Sequence, residues 1–102
     1  METVTFENFK VDSFTENGAY RLQKDFSNFI NTECFYTEKD KLIVCSISVS
    51  KAFKNRTPGN DEFVYPVHFD FMDNTGKMVQ RVYAEHFMKF NKVEFDRTKY
   101  VN

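Results

Sequence analysis

His68 and Asp70 flank Phe69, so on a strand an imidazole and a carboxylate would share one face. That pair is the minimal kit for acid–base chemistry, and it supplies two of the donors a metal site needs. Two ligands do not complete a metal site. The next acid, Asp73, belongs to a turn where acids are common, and His86 in AEHFMKF has no companion. Ser46, Ser48 and Ser50 also alternate on one strand face. Without a base beside them they read as polar residues of an exposed sheet face rather than nucleophiles. There is no Gly-rich phosphate loop, no GxSxG and no HExxH. These residues predict no catalytic site, no metal and no cofactor, hence a protein that is not an enzyme. A metal-assisted hydrolase on His68 and Asp70 is the remote alternative.

Cys34 and Cys45 stand eleven residues apart and form no CxxC or Cys/His cluster. If Lys39 and Asp40 make a two-residue turn, Tyr36 faces Ile43 and Cys34 faces Cys45, within bridging reach. In a reducing compartment both are expected to stay free, buried thiols.

Binding chemistry is better represented. Lys51, Phe53, Lys54 and Arg56 precede Tyr65 and His68, and Arg81 and Tyr83 follow on the next run. Cations interleaved with rings over a sheet are what single-stranded nucleic acid uses, cations for phosphates and rings for bases. These eight residues form the candidate partner-binding set. Asp61, Glu62 and Asp70 nearly cancel the local charge, and the chain carries a net −1 with a pI near 6.1. A near-neutral patch gains little from counterion release, and nucleic-acid domains are normally basic. The hairpin tip at 54–60 therefore ranks as an exposed loop first, a protein-contact loop second and a nucleic-acid finger third.

A chain of 102 residues suits one domain with a modest core. Thirteen Phe, five Tyr and no Trp predict that most rings fill that core. Residues 1–48 hold five bases against eight acids, and residues 75–102 hold six against three, so the charge is dipolar along the chain. METVTFENFK does not resemble a secretory signal, and no run approaches the ~18 apolar residues of a membrane span. A cytoplasmic protein without membrane contact is expected. The Lys-, Asn- and Phe-rich composition suits an AT-rich genome, such as a phage or mobile element.

The elements that must position these residues follow from periodicity. Residues 3–14 read as a strand with a bulge near Asn8, and residues 15–18 as a turn. Leu22, Phe26, Phe29 and Ile30 form one stripe, which predicts a helix over 19–31 capped by Thr15 or Asn17. In the strand that follows the turn, Ile43, Cys45, Ile47 and Val49 share a face. Phe63, Tyr65, Val67, Phe69 and Phe71 share a face of the next strand, where Pro66 predicts an edge or a bulge. Asp73, Asn74, Thr75 and Gly76 suit a hairpin turn before KMVQRVY. AEHFMKF is ambiguous, with Tyr83, Phe87 and Phe90 able to make a short helix stripe; KVEF suits a last short strand, and the tail from Arg97 a loose end.

The order predicts an α+β fold: an antiparallel sheet of four to five strands with one helix packed on a face. A small oligonucleotide-binding-like β-barrel is the alternative. The function expected is a small non-enzymatic module that binds a protein partner, as an inhibitor or adaptor. The alternative is single-stranded nucleic-acid binding, and a homodimer through an edge strand suits either.

Overall fold

The computed structural model describes residues 14–53 and 63–101. Helix α1 (Glu16–Asp25) starts where Thr15 Oγ1 accepts the Gly18 amide at 3.0 Å, the N-cap arrangement expected of threonine. It stops earlier than the apolar stripe. The Ser27 hydroxyl donates to the Lys24 carbonyl at 2.8 Å, and the chain tightens into a 3-10 turn (Ser27–Phe29). Phe26 and Phe29 still reach the core from that turn.

The sheet is open and antiparallel. It comprises β1 (Glu33–Phe35), β2 (Lys41–Val49), β5 (Val67–Met72) and β6 (Met78–Tyr83), ordered β1-β2-β5-β6. Two short strands, β3 (Ala52–Phe53) and β4 (Phe63–Val64), form a separate ladder. One register joins the two ladders: Ser46–Asp70, Ser48–His68 and Val49–Val67, then Ala52–Val64 and Phe53–Phe63. The two ladders thus form one long hairpin arm, interrupted where Pro66 lacks an amide. Helix α2 (Ala84–Phe90) follows β6 directly, and a second 3-10 turn (Arg97–Tyr100) ends the described chain. This is the expected α+β architecture, and the open sheet is not a barrel.

Several local expectations are corrected. Pro66 does not mark an edge strand: it precedes β5, which lies between β2 and β6. Its missing amide falls at the gap between ladders, where its carbonyl accepts the Ser50 amide at 2.9 Å. The turn between β1 and β2 is longer than two residues, because Thr37 Oγ1 gathers the Lys39 and Asp40 amides at 3.2 and 2.9 Å. Cys34 consequently pairs with Leu42, not with Cys45, and both cysteines are free. A bulge between Val44 and Ser46 reverses the alternation of β2, so Val44 and Ile47 are both buried. The strand and bulge expected over residues 3–14, apart from Phe14, and the tip at 54–60 lie outside the described residues.

The core fills one side of the sheet. Phe69 and Phe87 stack at 3.8 Å with planes 5° apart, and Phe29 meets Phe87 edge-on at 5.3 Å. Leu22, Val44, Ile47, Val67 and Phe71 complete the packing. Gln23 Nε2 ties α1 to β2 by donating to the Ile47 carbonyl at 2.6 Å. AEHFMKF is helical because Ala84, Phe87 and Met88 make a buried stripe. KVEF forms no strand, and the tail is docked rather than loose. Tyr100 donates to Asp25 Oδ2 at 2.8 Å, Arg21 donates to the Lys99 carbonyl at 2.8 Å, and Phe95 stacks on Tyr100. Gly18 permits this approach, since a Cβ there would fall 1.9 Å from the Tyr100 carbonyl oxygen.

Candidate functional site

On β5, Val67, Phe69 and Phe71 point into the core, so alternation sends His68 and Asp70 to the opposite face. The bulge in β2 sends Ser46 and Ser48 to that face as well. On β6, Val82 is buried in the core, which puts Arg81 and Tyr83 beside Asp70 and His68. Six polar or amphipathic side chains from three strands therefore meet outside the core.

Asp70 is the centre of the group. It is only 1% exposed, the one charged residue that is buried among the described residues. Its Oδ1 accepts Arg81 Nε at 2.7 Å. Its Oδ2 accepts the hydroxyls of Ser46, at 2.8 Å, and Ser48. Burial alone would raise its pKa, but the bonds from Ser48, Arg81 and Ser46 outweigh it and hold the carboxyl below its ordinary value. The serines are thus half-buried donors to a carboxylate, not exposed sheet polar residues. Their protons are committed to an acid held in its ionised form, which is a poor arrangement for activating a nucleophile.

His68 packs against Tyr83 with ring centroids 4.5 Å apart. Its Nδ1 is buried and finds no hydrogen-bond partner among the described residues. Burial first, then the Arg81 charge, lower its pKa, with Asp70 opposing, so the ring is neutral at neutral pH. Tyr83 meets His86 edge-on at 6.0 Å. No group of three or more His, Cys, Asp or Glu side chains that could hold a metal occurs among the described residues.

Arg81 is different in kind. Its side chain is 48% exposed, and a guanidinium has five donors. One of them, Nε, is spent on Asp70, and the Nη groups make no hydrogen bond or ion pair among the described residues. The buried network therefore fixes a cation whose outer end is open.

Of the candidate residues, the structure brings His68, Arg81 and Tyr83 together on this face. Tyr65 instead packs against the core cluster, and its amide donates to the Phe14 carbonyl at 3.0 Å. Lys51 stands on the arm with its Nζ 4.1 Å from the Phe63 ring centroid. Phe53 ends β3, while Lys54 and Arg56 lie outside the described residues. Sequence reasoning left Ser46, Ser48 and Asp70 outside the candidate set. The turn at 73–76 brings β6 back along β5, but the register shift between Phe71 and Met72 is what sets Arg81 rather than Gln80 opposite Asp70, so the turn alone did not reveal the pair.

The two sheet edges also differ. β1 is three residues long, and Asn91 covers it: Nδ2 donates to the Phe35 carbonyl at 2.9 Å and Oδ1 accepts the Phe35 amide at 2.8 Å. β6 is six residues long, and no described strand pairs with its outer side. It displays Met78, 50% exposed, and Val79, 45% exposed. No described helix is long and apolar enough to cross a membrane. No family model matches the chain, and no curated protein or solved structure matches it.

Proposed function

We propose that the protein is a small non-enzymatic binding module, an inhibitor or adaptor, that receives an extended segment of a protein partner along β6. The observation that carries this reading is the contrast between the edges. An edge strand offers alternate amides and carbonyls to any arriving strand, and proteins normally cover or charge such edges. Asn91 covers β1, whereas no described strand pairs with the outer side of β6, which exposes Met78 and Val79. Strand addition draws affinity from the backbone and specificity from alternate side chains. The non-enzymatic part rests on the committed hydroxyls of Ser46 and Ser48 and on the ionised state of Asp70.

The test is to pan a random peptide library against the full chain and to synthesise the binders with alternate backbone amides N-methylated. Binding should vanish on N-methylation and weaken in a Met78→Ser, Val79→Ser variant. Binding that ignores both changes sinks the reading.

The convergence of Arg81, His68 and Tyr83 supports a second reading, single-stranded nucleic-acid binding on this face. The rings of His68 and Tyr83 pack on each other, which leaves less of their faces for stacking bases, and the chain's net charge of −1 gives no general pull on a polyanion. An oligonucleotide titration at two salt concentrations separates the readings, since only phosphate contacts give a steep salt dependence.

A further inference from the structure

We propose that the segment received by β6 carries a carboxylate side chain that seats on the Nη groups of Arg81. This rests on the reading of β6 as the docking edge and adds the chemistry of the occupant.

Residues 77–84 contain two cations, Lys77 and Arg81, and no acid. On an added strand, the residue opposite Arg81 would bring its Cβ within about 5 Å on the same face. An acidic side chain there meets a guanidinium already held from behind. Asp70 grips Nε at 2.7 Å, and Ser46 and Ser48 hold the carboxylate. Fixing the cation in advance lowers the conformational cost of pairing with it, and the remaining Nη donors suit a two-oxygen acceptor. His68, neutral beside it, brings no competing charge.

The same chemistry argues against β6 of a second copy as the occupant. β6 reads MVQRVY, so two β6 strands paired with each other offer no carboxylate to either Arg81. The apolar neighbours Met78 and Val79 set the rest of the preference: a segment with one acid flanked by apolar or β-branched residues.

The experiment uses peptides recovered by panning against the full chain, with dissociation constants measured by fluorescence anisotropy. Recovered sequences are expected to share one Asp or Glu. Neutralising it, Asp→Asn or Glu→Gln in the peptide, should weaken binding roughly tenfold to wild type and have little further effect on Arg81→Gln. Arg81→Glu should reverse the preference toward Lys or Arg at that peptide position. Should Arg81→Gln or Arg81→Glu fail to fold by circular dichroism, Arg81→Lys keeps the charge beside Asp70 and should retain a reduced preference for the acid. The inference is overturned if no acid is enriched, or if its neutralisation costs the same with wild type and the Arg81 variants. Those results leave docking on β6 standing if N-methylation of the peptide still abolishes binding. Binding indifferent to N-methylation, or no recovered binder, overturns both. A twelve-residue oligothymidylate that binds through Arg81 while no peptide is enriched also overturns it, in favour of phosphate recognition.

Discussion

The two faces of one sheet are held by different physics. On the core side, Phe69, Phe71, Phe87, Val44 and Ile47 are buried through non-directional packing, where volume and fit decide the energy. On the other side, Ser46, Ser48, Asp70 and Arg81 form a directional network in which both carboxylate oxygens of Asp70 accept, Oδ2 from the two hydroxyls and Oδ1 from the guanidinium Nε. The same strands serve both. The core side can lose fit gradually, but the polar side fails whenever one member leaves and strands the rest. The polar side ends in an exposed cation, so it also connects the interior to whatever binds outside.

The strongest attack on this contrast is Phe69→Ala. It removes a ring that is stacked on Phe87 and fully buried, and should cost about 3–5 kcal/mol by urea titration. That is a large share of the ~5–15 kcal/mol a small domain holds in total. Asp70→Ala comes next, at about 2–4 kcal/mol, because two hydroxyls and a guanidinium lose their acceptor together. The sharper form replaces the whole network, with Ser46→Ala, Ser48→Ala, Asp70→Val and Arg81→Leu combined. It should recover most of that loss, since a buried charge removed with its partners leaves nothing unsatisfied. A combined variant less stable than Asp70→Ala alone would break the contrast.

Gly18→Ala sharpens it from the core side, where fit can be as unforgiving as a hydrogen bond. The added methyl would collide with the Tyr100 carbonyl oxygen, which is backbone and cannot swing aside. The turn Arg97–Tyr100 must then shift from α1, for a loss of about 1–3 kcal/mol. Faster amide exchange at residues 97–101, with the sheet unchanged, is the expected signature.

Packing was more legible in the sequence than the network was. Alternation through Val67, Phe69 and Phe71 marked the core face of β5, and Gly76, at φ 84°, closes the turn its neighbours announced. The bulge in β2 was not legible. Ile43, Cys45, Ile47 and Val49 are all apolar, so an unbroken strand satisfies the pattern equally well. Only pairing against β5 decides it, and that is a tertiary fact. Asp70 was hidden for a related reason: in an alternating strand, an acid at a polar position reads as solvated. Its burial depends on Ser46, Ser48 and Arg81 arriving from two other strands. Pro66 misled because its lost amide falls between two ladders rather than within one. The candidate cations and rings were half gathered. His68, Arg81 and Tyr83 share a face because they stand at alternate positions of paired strands, while Tyr65 lies in the gap between β4 and β5 and packs against the core.

The smallest expected effect titrates the two faces from opposite ends of the pH scale. Asp70 and His68 both have folded-state values below their ordinary ones, Asp70 through its donors against burial and His68 through burial and Arg81. A depressed value means that the folded state resists protonation, so stability is present above the ordinary value and lost as pH falls through the folded one. The loss should begin below about pH 6.5 with His68 and deepen below about 3.8 with Asp70. On the core rim, burial and the bond to Asp25 push the Tyr100 hydroxyl up from 10.0 to about 12. The sign is opposite: its stability is present below about pH 10 and lost as pH rises through about 12. Urea titrations across pH should therefore show an acid limb that His68→Phe shortens at its upper end. They should also show an alkaline limb that Tyr100→Phe flattens, each variant leaving the other limb in place. If Tyr100→Phe altered the acid limb, the faces would be coupled through the sheet rather than independent.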